Sequence, residues 1–362
     1  MNQKILEVCL SPGLGGLELF TVQCHNFFSQ KGECRIVVAP NQKLDNYLQG
    51  TDKLYVKRNK FFPLLSAYKL SKYIDESNID TLHFHWNRDM ITVVLAKILS
   101  RRKPSIILSR HMGMTRFKDD IYHRWLYKHI STIHAVTRQV EAQLIKFIPS
   151  SVRPDIKLIY LGVDPKKDIN IQELKNKYHI NNEFIVGIIG RMQEGKDQHV
   201  VIEAISKLKT LDIKLFIIGE AMDDTYLKRL HTMCQTLGIE DKVIFTGFTK
   251  EADTYMKLCD VTVLATQNET FGLVIIESMA NGTPVIATDR GGPLEIIDDG
   301  IDGLLYDGSS DDLSSKIRLL YEDSAFKDTL ASNSLKKVFE KFDKKTQLEK
   351  LYHTIIGMKK NS

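Results

Sequence analysis

Two glutamates eight residues apart, Glu269 and Glu277, flank the run Thr270-Phe271-Gly272-Leu273-Val274-Ile275-Ile276. A helix starting near Gly272 would leave Glu269 in the loop before it, turn the unpaired amides of Phe271, Gly272 and Leu273 outward, and set Glu277 one to two turns along. A carboxylate at each end of an anion hole suits a nucleotide sugar: Glu269 for sugar hydroxyls, the amides for phosphates, Glu277 for the ribose diol. Five helical residues give a reach of about 7.5 Å. Upstream, Gly190-Arg191-Met192-Gln193-Glu194-Gly195-Lys196 follows the apolar run Phe184–Ile189. Glycine-flanked cations at the carboxyl end of a strand can grip a diphosphate, the guanidinium in bidentate fashion and the ammonium as a point charge. As the diphosphate departs from an oxocarbenium-like sugar, Arg191 and Lys196 would neutralise the charge growing on it.

The first half of the chain offers a different set of groups. Ser11-Pro12-Gly13-Leu14-Gly15-Gly16-Leu17-Glu18 follows the first strand. It fails as a dinucleotide fingerprint, because the third glycine falls on Glu18 and the second strand ends at Ala39-Pro40 without the acidic residue that grips a ribose. What remains is a Gly15-Gly16 pair that lets a ligand come close to the backbone. His83 and His85 form an H-x-H on one face of a strand with no third ligand nearby, which favours an ordinary or acceptor-side role over zinc. No two aspartates are spaced as D-x-D, the pair that usually holds a divalent ion on a sugar diphosphate, so no metal is expected. Lys53, Lys57, Arg58 and Lys60 run into Phe61-Phe62-Pro63, and Arg101-Arg102-Lys103 adds a second cluster; both suit an anionic bilayer surface. Arg116 and Lys118 suit a phosphorylated or acidic glycan.

These groups need a scaffold, and the scaffold is legible. Apolar, β-branched runs alternate with amphipathic segments of helical length, the pattern of a parallel sheet with crossover helices. Strands are expected at 5–10, 34–39, 53–56, 81–85, 105–109, 132–136 and 156–160, with helices over 16–30, 64–77, 90–99 and 119–129. The stretch 161–176 holds Gly162, Pro165 and a charge cluster without a strand period and reads as a linker. A second α/β series follows, with strands at 184–189, 214–218, 243–245, 261–265, 285–287 and 304–305. Ser309-x-x-Asp312 is a capping box for a helix carrying Leu313, Ile317 and Leu320, and a last helix is expected near 347–356. The domains are therefore placed at 1–165 and 166–340, with 341–362 a helix returning to the first.

Composition bounds the class. At 362 residues the chain is long enough for two domains. Hydrophobic content of 43%, 26% charged residues and a mean hydropathy of -0.19 exclude a disordered chain or a polytopic membrane protein. Five scattered cysteines fit a reducing compartment, and the apolar stretch 5–10, broken by Glu7, is too short for a signal-peptide core. A cytoplasmic protein, peripheral on the inner face of the membrane, is expected. The net charge of +5 divides into +10 up to residue 165 (24 Lys/Arg, 14 Asp/Glu) and -5 beyond it (26 and 31). Only the first half is suited to an anionic partner. Nucleic acid is not expected, since no recognised motif or series of stacking aromatics accompanies the basic half.

Gly15-Gly16-x-Glu18, Gly162-Val163-Asp164, Gly190-Arg191 with Lys196, Glu269 to Glu277, and Gly291-Gly292-Pro293-x-Glu295 together resemble a GT-B glycosyltransferase of the large retaining group called family four. The resemblance implies two doubly wound Rossmann-like domains with an interdomain cleft, C-terminal helices, and transfer from a UDP- or GDP-sugar with retained configuration and no metal or cofactor. It implies Arg191 and Lys196 on the diphosphate, Glu269 with Phe271, Gly272 and Leu273 on donor sugar and phosphates, Glu277 on the ribose, and His111 beside the donor sugar. Gly15 and Gly16 belong to the donor side. Glu18, His85, Arg116, Lys118, Lys57 and Arg58 belong to the acceptor or membrane side. Leu161 departs from the Asn common at that position in the family. The implied acceptor is a glycan or lipid-linked glycan, as in lipopolysaccharide or capsule assembly. The alternatives are a GT-B sugar-nucleotide epimerase, which needs no acceptor, and an inactive GT-B membrane scaffold.

Overall fold

The computed structural model describes residues 3–59, 62–164 and 169–357. Lys60, Phe61 and Pro165 lie outside them. The first sheet contains β1 (Ile5–Cys9), β2 (Cys34–Val38), β3 (Lys53–Tyr55), β4 (Thr81–Phe84), β5 (Ser105–Arg110), β6 (Thr132–Ala135) and β7 (Asp155–Leu158), and every pairing is parallel. The second contains β8 (Phe184–Ile189), β9 (Ile213–Ile218), β10 (Val243–Gly247), β11 (Val261–Leu264), β12 (Val285–Thr288) and β13 (Leu304–Tyr306), again all parallel. The expected strands stand where periodicity placed them, with ends shifted by a residue or two.

The strand orders are β3-β2-β1-β4-β5-β6-β7 and β10-β9-β8-β11-β12-β13. In each, the direction of winding reverses once, between β1 and β4 and between β8 and β11. Loops diverge to either side at such a point and leave a crevice at the carboxyl ends of the strands, where ligands settle. The loops carrying Arg191 and Lys196 (after β8) and Glu269 to Leu273 (after β11) are therefore neighbours by topology, although more than seventy residues separate them.

The chain divides into two compact units, Met1–Tyr160 with Thr346–Ser362, and Leu161–Lys345. The first thus closes at Tyr160 rather than 165, and the chain re-enters it at Thr346 rather than 341. The returning helix Lys344–Ile356 lays Tyr352 against Phe28, ring centroids 5.6 Å apart, and pairs Glu349 with Lys31 at 3.4 Å. The stretch read as a structureless linker is partly ordered. Val163 forms a bridge with Asp343, and a short helix covers Gln172–Lys177. Gly162 allows that approach: a Cβ there would lie 2.6 Å from the Lys344 Cα. The helix Ser324–Lys341 gave little sequence signal because it fully buries only Leu330, Ser334 and Val338 and leaves other apolar residues such as Phe339 exposed. Half of the expected capping box forms: the Ser309 hydroxyl accepts from the Asp312 amide at 3.2 Å, while the Ser309 N–H turns to Asp307 Oδ1 at 2.8 Å instead of to Asp312.

Candidate active site

In the second unit the carboxyl end of β8 is shaped by glycine. Gly190 adopts φ 147, and a Cβ on Gly219, at the end of β9, would meet the Gly190 carbonyl oxygen at 2.0 Å, so the two loops touch through backbone alone. Arg191 leaves this loop exposed, with no ion pair among the described residues. Lys196 sits between Gly195 and Asp197, both at positive φ, and its Nζ reaches Glu269 Oε2 at 3.0 Å. Both side chains are roughly a quarter exposed, so solvent screens the pair and it contributes less than about 1 kcal/mol to stability. An ammonium held there is free to exchange its carboxylate for a phosphate oxygen.

Glu269 opens the loop that enters the helix Leu273–Ala280. The cap position is Gly272 at φ 93, with no side chain closing the first amides. The resulting helix N-terminus presents partial positive charge and backbone N–H groups beside Lys196's partner. Phe271 is buried and Leu273 half-buried, so backbone rather than side chain is what this turn offers to a ligand. Glu277 is half-buried in the helix's second turn. The loop is braced from β12: Gly292 donates its N–H to the Glu269 carbonyl at 2.9 Å, and a Cβ at Gly292 would lie 2.4 Å from the Phe271 carbonyl oxygen. Arg290 was not anticipated. Its guanidinium donates to Gln267 Oε1 at 2.6 Å and to the Asp307 carbonyl at 2.9 Å, tying the loops after β11, β12 and β13 together.

In the first unit the glycine turn leads into the helix Gly16–Lys31, with Gly15 as its cap. Glu18 is not presented to solvent. It is buried and accepts a hydrogen bond from the Ser11 hydroxyl, and its oxygens lie 3.5 Å from where a Cβ of Gly13 or Gly15 would stand. Its position is that of a brace inside the turn. His111 follows β5 and packs edge-on to Phe20 at 5.2 Å; burial first, then His85, His134 and other nearby cationic groups, hold its pKa well below the ordinary histidine value. His85 is likewise buried, bonded through Nε2 to Glu7 at 2.7 Å.

The basic groups divide by environment. Arg58 stacks over Trp86 at 4.7 Å, and Lys57 and Arg58 line a recess of about 430 Å³ with Leu10, Pro12 and Asn41. Past the two undescribed residues, Phe62, Leu64, Leu65 and Tyr68 are all exposed, Leu65 by 73%. Arg116 is exposed, and Lys118 half-buried, in a loop that also exposes Met112, Phe117 and Ile121. Arg102, by contrast, bonds Asn78 and Asp80 and closes the turn before β5. Arg110, unremarked in the sequence, holds the His111 loop by donating to the carbonyls of Met112 and Gly113 at 2.7 and 2.9 Å.

Residues 170–357 match the family described as glycosyl transferases group 1, and residues 14–167 match glycosyltransferase family 4. The chain is a group 1 glycosyltransferase. The N-acetyl-alpha-D-glucosaminyl L-malate synthase of Bacillus anthracis is 27% identical over 314 residues, 83% of this chain and 81% of its own length. A lipopolysaccharide core biosynthesis glycosyltransferase of Rhizobium meliloti is 32% identical over 148 residues, 41% of this chain and 42% of its own. Among solved structures, Anabaena HepE in complex with UDP-glucose superposes with a TM-score of 0.85 at 22% identity, covering 99% of this chain and 100% of that one. That likeness establishes the GT-B fold.

One further cluster in the glycosyltransferase has the composition of a metal site: Cys24, His83 and His85 place a ligand atom each within 4.8 Å of one another. All of their donor atoms but His85 Nδ1 are already hydrogen-bonded or held protonated. Both His83 nitrogens are hydrogen-bonded, His85 Nε2 is bonded to Glu7, and burial pushes the Cys24 thiol far above its ordinary pKa, away from the thiolate a metal needs. Among the described residues no helix is long and apolar enough to cross a membrane.

Proposed function

We propose that this glycosyltransferase moves a sugar from a UDP- or GDP-sugar to a glycan or lipid-linked glycan in envelope polysaccharide assembly, with retention of anomeric configuration and without a metal. The observation that carries the reading is the meeting of Lys196 and Glu269 at the β8/β11 reversal, beside an uncapped helix N-terminus and the exposed Arg191. Arg191, Lys196 and the amides of Phe271, Gly272 and Leu273 take the diphosphate, Glu277 takes the ribose diol, and Glu269 passes from Lys196 to the donor-sugar hydroxyls. His111 lies beside the donor sugar, and the Gly15-Gly16 turn lets it approach the backbone. As the glycosidic C–O bond lengthens, the cations stabilise the charge gathering on the leaving diphosphate. The acceptor hydroxyl attacks from the same face, and a phosphate oxygen of the leaving group takes its proton.

The named substrates of relatives support a nucleotide-sugar donor and an envelope role: HepE is seen with UDP-glucose, and the Rhizobium relative acts in lipopolysaccharide core biosynthesis. The exposed apolar residues 62–68, next to Lys57 and Arg58, support peripheral docking on an anionic bilayer, where a lipid-linked acceptor resides. The test is release of nucleotide from a panel of UDP- and GDP-sugars presented with lipid-linked glycan extracts, with and without EDTA. Transfer from one donor, insensitive to EDTA and retentive by proton NMR of the anomeric centre, is expected. Inversion or a strict metal requirement contradicts the mechanism.

A further inference from the structure

The interior of a parallel sheet covered on both faces is ordinarily hydrocarbon. In the first unit, five polar side chains from four adjacent strands and the residue following one of them, Glu7, His83, His85, Ser109 and His134, are at most 1% exposed. They form one line of hydrogen bonds beneath the helix Gly16–Lys31. His85 Nε2 bonds Glu7 Oε2 at 2.7 Å, and Glu7 Oε1 bonds His83 Nδ1 at 2.9 Å. His83 Nε2 bonds Ser109 Oγ at 2.7 Å, Ser109 Oγ bonds His134 Nδ1 at 2.7 Å, and His134 Nε2 bonds the Ile159 carbonyl at 2.7 Å.

A carbonyl can only accept, and that fixes the proton at its end of the line. His134 must carry its proton on Nε2. Burial holds this ring neutral, with a pKa lowered to about 3, so Nδ1 accepts from the Ser109 hydroxyl. The Ser109 oxygen then accepts from His83 Nε2–H. Burial alone would raise Glu7, but the charge of His83 and the hydrogen bonds from both histidines outweigh it and bring the carboxyl down to about 2. Glu7 is therefore an acceptor on both oxygens. His85 donates its single proton from Nε2; burial, then His83, keeps it neutral with a pKa lowered to about 4. The Nδ1 lone pair of His85 is left over. That atom is buried and partnerless among the described residues, as is His111 Nε2 on the ring stacked 5.8 Å away. Both rings stand at the carboxyl ends of β4 and β5, next to the β1/β4 reversal.

We propose that Glu7 is a positioning residue that locks His85 in its Nε2–H form, so that His85 Nδ1 accepts a hydrogen bond from a hydroxyl of a pyranoside bound as acceptor at the carboxyl end of the first sheet. This rests on the glycosyl-transfer reading for the word acceptor, and on the hydrogen-bond line with its neutral buried rings for the proton's place. A buried nitrogen without a donor is costly, and a sugar hydroxyl supplies the donor it lacks. The fixed line of partners beneath His85 means no ring flip or proton shift is needed when the hydroxyl arrives.

Long-range proton–nitrogen NMR of labelled protein reads the ring protons directly. His85 is expected with Nε2 protonated and Nδ1 bare, and its Nδ1 resonance moves on titration with at least one methyl glycoside of glucose, galactose, mannose or N-acetylglucosamine while that of His134 stays. Glu7→Leu frees both histidines from the carboxylate, mixes the His85 tautomers and weakens that glycoside about three- to tenfold, the worth of one net hydrogen bond. Glu7→Gln recovers most of the loss, because its amide can accept from His85 and donate to His83. His85→Phe keeps an aromatic ring but removes both nitrogens, Nδ1 among them, and loses the same factor; it carries the comparison if Glu7→Leu does not fold. UDP binding to the second unit stays unchanged in all three. A wild-type His85 protonated at Nδ1, an Nδ1 resonance indifferent to every glycoside, or stoichiometric zinc in the purified protein overturns the proposal. Absence of sugar transfer with a moving Nδ1 signal overturns the proposed function instead.

Discussion

Val186, Ile188, Leu215, Ile217, Val261, Val263 and Ile286 fill one face of the second sheet with hydrocarbon, and that unit's candidate groups lie in loops, and for Glu277 a helix, beyond its strand ends. The first sheet instead buries a carboxylate and three imidazoles within or directly beside its central strands. Charged loop groups can rearrange around a phosphate, as Lys196 can trade Glu269 for it. Buried groups in a hydrogen-bonded line cannot rearrange without breaking the line, and so hold one proton arrangement. On the proposed function, one unit follows a charge that moves during reaction and the other presents fixed acceptors to neutral hydroxyls.

The largest expected effect lies on the mobile side. Arg191→Ala or Lys196→Ala should lower kcat by about 10²- to 10³-fold, as removal of a group that stabilises developing charge does, with the thermal midpoint nearly unmoved. Near-normal turnover in both variants would falsify their assignment to the diphosphate.

Acid separates the two units by stability. His85 and His134, lowered to about 4 and 3, and His111, also held well below its ordinary value, bind protons in the unfolded chain but not in the fold, so their contribution is present above about pH 6.5 and lost as pH falls toward their folded values. Glu7, lowered to about 2, adds stability that is full above its unfolded pKa and disappears as pH falls from there toward 2. The first unit should therefore unfold at a higher pH than the second. Both tryptophans, Trp86 and Trp125, lie in the first unit, so their emission reports it alone. Emission that shifts before far-UV circular dichroism has fallen halfway is expected between pH 6 and 3, and coincident transitions would contradict the contrast.

Gly292→Ala pushes a methyl into the Phe271 carbonyl and must displace the turn that presents the amides. About 1–3 kcal/mol of destabilisation is expected, read as a lower thermal midpoint, together with weaker nucleotide binding. The smallest effect concerns the membrane. Leu64→Glu with Leu65→Glu removes two side chains exposed by 58% and 73% and should cut recovery on anionic liposomes at low salt several-fold while leaving UDP affinity intact. Unchanged flotation would assign the patch elsewhere.

The candidate groups of the second unit were legible in the sequence because most of them sit in glycine-punctuated loops. Gly190-Arg191, Gly195-Lys196 and Glu269 to Gly272 break the apolar period and draw attention to themselves. The fixed half was legible only as the H-x-H of His83 and His85. Glu7 reads as an interruption in an apolar run, and Ser109 and His134 as incidental strand residues, since parallel pairing joins positions up to 76 residues apart that no local pattern connects. Arg110 and Arg290 escaped notice for a related reason: each satisfies carbonyls or amides of irregular loops, whose course has no period.

Calorimetric titration of UDP and of uridine into the wild-type protein and the Arg191→Ala, Lys196→Ala double variant reads the diphosphate grip most directly. UDP should bind wild type at least about tenfold more tightly than uridine, a difference of about 1.4 kcal/mol, and the double variant should lose that preference while still binding the nucleoside. A double variant that keeps the full preference for UDP would place the diphosphate somewhere other than the carboxyl ends of β8 and β11.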